Sequence, residues 1–169
     1  MRILGIDPAL RITGYGIVQS GDDGISHIAS GTITTNSSSE LRERLDTLYN
    51  GVMAVIGRFR PDVMAIEKVF VHNSHTTTAF LLGQARGTII LAAAHNSLPV
   101  IEYAATEVKK AVTGRGHATK QQIQRMVMSI LGMRGTPRHL DITDALALAL
   151  THRFHNSNPM LAQALGRTR

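Results

Sequence analysis

The chain has no cysteine. That excludes a disulfide framework and any thiolate-held zinc or iron–sulfur centre, so a metal here must be held by carboxylates and histidines. Tryptophan is absent and aromatics make up 4% of residues, so extensive stacking of bases on aromatic platforms is not expected. No apolar run reaches the roughly 18 residues of a membrane helix. The start, Met1 to Asp7, has a basic residue but neither a long apolar stretch nor a small-residue cleavage site, and reads as a cytoplasmic start with no membrane partner. Repeats and low-complexity linkers are also missing. What is present is 169 residues with 43% hydrophobic and 18% charged, an ordinary globular composition for about one domain.

Acids are the scarcer charge. There are 18 Lys and Arg against 12 Asp and Glu, a net of +6. Arginine supplies 14 of those cations, and its planar fork suits phosphate. Between Ala104 and Arg138 stand Lys109, Lys110, Arg115, Lys120, Arg125, Arg134 and Arg138, with Glu107 as the one acid. So one-sided a segment points to a polyanionic partner, although a solvated helical face would have the same composition.

Hydrophobic patterning predicts strands at Arg2–Ile6, Gly14–Gln19, Ile25–Thr34, Val63–Ile66 and Val100–Tyr103. The Gly21-Asp22-Asp23-Gly24 turn predicts a hairpin. Helices are expected at Glu40–Phe59 (capped from Ser37–Ser39 and closed by Pro61), Thr76–His95, Thr106–Val112, Thr119–Leu131 and Leu140–His155. Residues 1–155 then form one unit, and 156–169 read as a mobile polar tail. Early strands followed by alternating helix and strand predict an α/β fold with a five-stranded mixed sheet flanked by helices.

Asp7 and Glu67 each end an apolar strand, where sites of α/β sheets lie. Asp141 and Asp144 stand three apart at the start of the last helix and share a face. Four converging carboxylates repel, and so take up protons or bind hard cations. Oxygen-only ligation suits Mg²⁺ or Mn²⁺, and two such ions can drive phosphodiester hydrolysis. Each acid also has a plain reading: Asp7 starting a turn before Pro8, Glu67 pairing with Lys68, Asp141 and Asp144 complementing a helix dipole. His139, just before that helix, is a cap, a solvated loop residue, or an accessory metal or proton ligand.

Gly5-Ile6-Asp7-Pro8 with Thr13-Gly14-Tyr15-Gly16, then Ala65-Ile66-Glu67 with Val69-Phe70, then Leu82-Gly83-Gln84-Ala85-Arg86-Gly87 form a recognisable series. Glu102-Tyr103-Ala104, Val108-Lys109, Gly114 to Gly116 leading to Lys120, and Asp141-Ile142-Thr143-Asp144-Ala145-Leu146-Ala147 complete it. In this order the chain resembles the RuvC family of bacterial Holliday-junction resolvases, nearly end to end, from Ile3 to His152. The resemblance implies a ribonuclease H-like fold, a homodimer, and metal-dependent cleavage of two opposed strands of a four-way DNA junction, leaving 5′-phosphate ends. It also implies that the RuvA–RuvB branch-migration complex is a partner. Carried over residue by residue, it makes Asp7, Glu67, Asp141 and Asp144 the catalytic acids and metal ligands. Lys109 and Lys120 become DNA-contacting lysines, and Phe70 the junction-contacting phenylalanine. Arg86 and Arg115 are read as further DNA contacts. Two departures stand out. Ala9 replaces the usual Gly after Asp-Pro, which implies a slightly different loop, and some relatives carry His where this chain has Asp141.

Three other readings use some of the same residues. An actin-like ATPase has a comparable Gly-Ile-Asp loop but needs a second domain. A non-catalytic junction binder needs the basic surface but not the acids. A ribonuclease H acting on RNA–DNA hybrids needs the same acids and differs in substrate.

Overall fold

A computed structural model describes residues 1–22, 24–68 and 76–157. Five strands form a mixed sheet: β1 (Arg2–Asp7), β2 (Ile12–Gly21), β3 (Gly24–Thr34), β4 (Val63–Glu67) and β5 (Val100–Tyr103), in the order β3-β2-β1-β4-β5. β2 and β3 form the expected hairpin, with Gly21 opposite Gly24, and β1 pairs antiparallel with β2. β4 and β5 join parallel, which requires helical crossovers. These are α1 (Leu41–Phe59) and α2 (Thr76–His95), followed by α3 (Ala105–Thr113), α4 (Lys120–Ile130) and α5 (Leu140–Ser157).

The period-2 alternation of β1 divides the core. Leu4 and Ile6 point to one face, where Leu48, Val52 and Ile56 of α1 and Ala85, Ile89 and Ala93 of α2 bury them. Ile3 points to the other, with Val63 and Ala65 of β4, Val108 of α3, Ile123 and Val127 of α4 and the apolar run Ala147–Leu150 of α5. Both central strands are therefore buried on both faces, as parallel pairing demands.

The start of α1 departs from expectation. Ser37–Ser39 do not cap it; the position before its first turn is Glu40, with no side-chain cap. Asn36 takes the Ser38 N–H on its side chain and the Ser39 N–H on its carbonyl. The serines are thus spent in a local turn of the kind Asn favours. Pro61 does stop α1: Arg60 turns left-handed (φ 45°) and its N–H closes on the Ile56 carbonyl. α5 runs through Ser157, so Asn156 belongs to the helix, and the rest of the expected tail, 158–169, lies outside the described residues.

α5 sits on a floor of glycines. Gly5 pairs with Gly16, and Asp7 with Gly14, across the β1–β2 ladder, so all four face α5. A methyl group on Gly5 would overlap the backbone of Ala145, one on Gly14 the backbone of Asp141, and one on Gly16 the side chain of Leu146. With no Cβ in the way, the first turn of α5 comes down onto the strands themselves. The expected outcome of Gly5→Ala is a loss of about 1–3 kcal/mol or more by urea unfolding, because α5 must lift off the sheet. Gly57→Ala, with open space around it on the exposed face of α1, should instead gain up to about 1 kcal/mol. Equal effects from the two would contradict the glycine floor.

Candidate active site

Asp7 and Glu67 are brought together by register. Ile6 pairs with Ile66, so the next residue of each strand lies side by side at the carboxyl edge. Both continue the face that α5 covers, since Ala65 and Ile3 precede them by even steps on that face. Asp141 and Asp144 reach the same edge because Gly14, the partner of Asp7, lies directly under the Asp141 backbone. All four expected acids therefore converge.

Their electrostatics record the convergence. The Asp7 carboxyl is pushed up to about 7, first by burial and then by Asp144, Glu67 and Asp141, with Lys120 partly offsetting them. Glu67 is also raised, by burial and then by Asp144, against the opposing pull of Lys120, Lys109 and Arg86. Lys120 is raised because it donates a hydrogen bond to Asp144, Nζ to Oδ2, at 3.1 Å. Glu67, Lys109, Lys120 and Asp144 line a cavity of about 270 Å³ floored by Val108, Ile123 and Leu148.

The donor set suits a hard divalent cation. It is all oxygen, and burial together with the neighbouring carboxylates raises Asp7, a cost that a bound cation would relieve. Among the described residues, no three His, Asp or Glu side chains stand close enough to close around an ion. Lys120 occupies one oxygen of Asp144, and a bound cation would compete with it there.

The other expected residues fall in different places. Lys109 and Lys120 face the cavity. Arg115 is exposed on the turn between α3 and α4, away from that cavity. Arg86 lies under β4, its side chain only 12% exposed, paired with Glu102 at 2.7 Å and donating to the Glu67 carbonyl. Its guanidinium is thus engaged by the protein's own groups. His139 is half-buried, and its carbonyl accepts from the Ile142 N–H at 3.3 Å. Phe70 lies outside the described residues. Ala9 is accommodated without left-handed backbone: the buried Thr13 hydroxyl donates to its carbonyl at 2.6 Å and accepts its N–H at 3.2 Å.

Three supporting features escape sequence reasoning. One is the glycine floor, whose signal was Gly5, Gly14 and Gly16 in strands opposite a helix rich in Ala. Another is Glu107, which accepts the Ala104 N–H at 2.7 Å and so caps α3 instead of diluting the basic surface. The third is the buried pair of Tyr103 Oη and His152 Nδ1 at 2.8 Å, which ties α5 to β5.

The Asp7 shift sets a pH dependence. An acid raised in the folded state costs stability as pH rises from its unfolded value, 3.8, through about 7, with the full cost above that range. The rise corresponds to at most about 4 kcal/mol. In chelator at pH 8, Asp7→Asn should therefore be more stable than the parent by about 1–4 kcal/mol, with the gap shrinking towards pH 4. A pH-independent difference in urea unfolding would contradict this. Lys120→Met, which removes the cation from Asp144, should tighten Mn²⁺ binding at pH 8 without DNA by on the order of tenfold, read by calorimetry. Weaker binding would show that the lysine supports the metal site.

Comparison with known proteins agrees with this geometry. The family model described as Crossover junction endodeoxyribonuclease RuvC matches residues 3–152. The enzyme of that name from Ralstonia pickettii is 45% identical over 164 residues, 97% of this chain and 89% of the relative. That of Chromohalobacter salexigens is 47% identical over 99% of this chain and 88% of the relative. The structure of Thermus thermophilus RuvC in complex with Holliday junction substrate superimposes with a TM-score of 0.86 at 34% identity, covering 92% of this chain and 94% of that one. The five-stranded mixed sheet is accordingly a ribonuclease H-like fold. With the family model spanning the sheet, the glycine floor and all four acids, this chain belongs to the RuvC family of crossover junction endodeoxyribonucleases.

Proposed function

We propose that Asp7, Glu67, Asp141 and Asp144 form the catalytic centre with which this RuvC-family nuclease resolves four-way DNA junctions. The observation that carries the reading is the convergence of these four acids at one strand edge, beside Lys109 and Lys120. Junction resolution serves DNA recombination and repair. The family is metal-dependent, and our reading gives the site Mg²⁺, with Mn²⁺ as a substitute and two ions per centre. When bound, such ions supply Lewis acidity to the phosphate and activate water.

The chain's own groups orient and hold. Asp7 and Glu67 fix ligand oxygens on rigid strand ends, and the first turn of α5 brings Asp141 and Asp144 over them. Lys109, and Lys120 once drawn off Asp144, hold the scissile phosphate. Arg86 acts as a positioning residue, holding the end of β4 and hence Glu67. His139 remains an accessory candidate beside α5. Phe70, three residues past Glu67, is the candidate wedge between base pairs. The products carry 5′-phosphate and 3′-hydroxyl.

A homodimer matches the two-fold symmetry of a junction, so that two copies make two opposed cuts. A stripe on α2 supports it: Phe80 (63% exposed), Gly83, Gly87 and Leu91 (50% exposed) lie along one outward face. The two glycines would let a second α2 approach closely. We assign the RuvA–RuvB complex as a partner and the cytoplasm as the location; no described helix is long and apolar enough to cross a membrane.

Asp7→Asn, Glu67→Gln, Asp141→Asn and Asp144→Asn should each slow cutting of a synthetic four-way junction by at least about a thousandfold, in the range that loss of a principal electrostatic group costs. Junction affinity should stay within a few-fold. Cutting and gel-shift assays on the same variants decide it. Near-normal cutting by any one of them would remove that acid from the centre. Preferential cutting of an RNA–DNA hybrid by the unmodified protein would replace the substrate.

A further inference from the structure

The turn that joins α3 to α4, residues 114–119, has two sides. On its inner side Lys109 of α3 and Lys120 of α4 line the cavity of Glu67 and Asp144. Its outer side is a separate groove of about 370 Å³, lined by Thr113, Arg115, Ala118, Gln122, Arg125 and Met126. No carboxylate lines this groove. Among the described residues, neither Arg115 nor Arg125 has a carboxylate partner.

The groove's donors are fixed by the chain's own bonds. The Gln122 side-chain oxygen accepts the Thr119 N–H at 2.8 Å, which caps α4 and leaves the amide NH₂ as a donor. Arg125 Nε donates to the Gln121 carbonyl at 3.4 Å, holding the side chain along the helix and leaving its terminal nitrogens. The Thr113 hydroxyl accepts the Arg115 N–H at 3.2 Å, while Gly114 turns left-handed (φ 74°) to let the loop reverse. The larger hollow on the other side of α3 contrasts with it. There Glu107 stands in the same lining as Lys110, with Ala111 and Phe154 as apolar neighbours.

From these observations we infer that the Arg115–Arg125 groove is a second DNA subsite, holding a backbone phosphate of the duplex arm next to the cut. The inference rests on the junction-nuclease reading above. Lys120 and Arg125 are five positions apart on α4, about 140° around the helix, so the groove and the cavity lie on different sides of α4 and engage different phosphates. Two guanidinium forks and an amide suit phosphate oxygens. With no aromatic in its lining, the groove grips any sequence, so its contribution is to hold the arm at a fixed angle to the catalytic cleft.

The test is junction affinity across a salt series, using Asp7→Asn protein so that the DNA stays intact. On that background, Arg115→Ala/Arg125→Ala should lose about 10–100-fold in affinity near 0.1 M salt. Its plot of log affinity against log salt should be shallower by about 1, the contribution of one lost phosphate contact. Arg125→Lys should retain most of the slope, and matched unfolding curves exclude a folding defect. Unchanged affinity and slope would overturn the proposal. If the Asp7→Asn protein itself shows no preference for a four-way junction over linear duplex, the underlying reading fails instead.

Discussion

Where Gly5, Gly14 and Gly16 leave β1 and β2 without side chains, α5 comes down onto bare backbone, and the rest of the site follows from that contact. The contact fixes height as well as direction. An alanine at Gly14 would collide with the backbone of Asp141 itself, so the spacing between strand and helix is also the spacing between Asp7 and the acids of α5. The apolar run Ala145–Leu150, buried throughout, locks the helix in place, and the bond from His152 to Tyr103 pins its far end to β5. Rigid strand ends and a helix thus carry the four acids, which is what precise positioning of the proposed catalytic centre requires.

That arrangement is electrostatically costly in the absence of a cation. Burial and three neighbouring carboxylates raise Asp7 to about 7, and Lys120 answers only Asp144 directly. The site is therefore built for charge it does not itself contain. On the proposed reading a bound metal would supply that positive charge, and Lys120, drawn off Asp144, would then be free to meet a phosphate of the substrate.

Much of this was legible in the sequence, because the local signals were strong. The long Ala- and Leu-rich α2 and the short β5 behind Pro99 fall where hydrophobic runs and proline place them, and Asp7 and Glu67 announce themselves as single acids ending apolar strands. The cap of α1 was misread because Asn36 and three serines offer competing local bonds, and which of them wins depends on the path of the chain from β3. Arg86 looked like a phosphate contact because its position under β4, beside Glu102, appears only once the strands are in register. The glycine floor was illegible for the same reason. A glycine in a strand suggests a close approach, but which element approaches is a tertiary fact.

The chemistry of the cut ends tests the central claim most directly: that the four acids form one metal-dependent centre acting in symmetric pairs on a junction. An end-labelled four-way junction should be mapped after incubation with the protein and Mg²⁺. The account predicts two nicks on opposed strands at matching positions, with 5′-phosphate and 3′-hydroxyl ends that DNA ligase seals, and no cutting in chelator. Ends bearing 3′-phosphate, or cutting that persists in chelator, would contradict it.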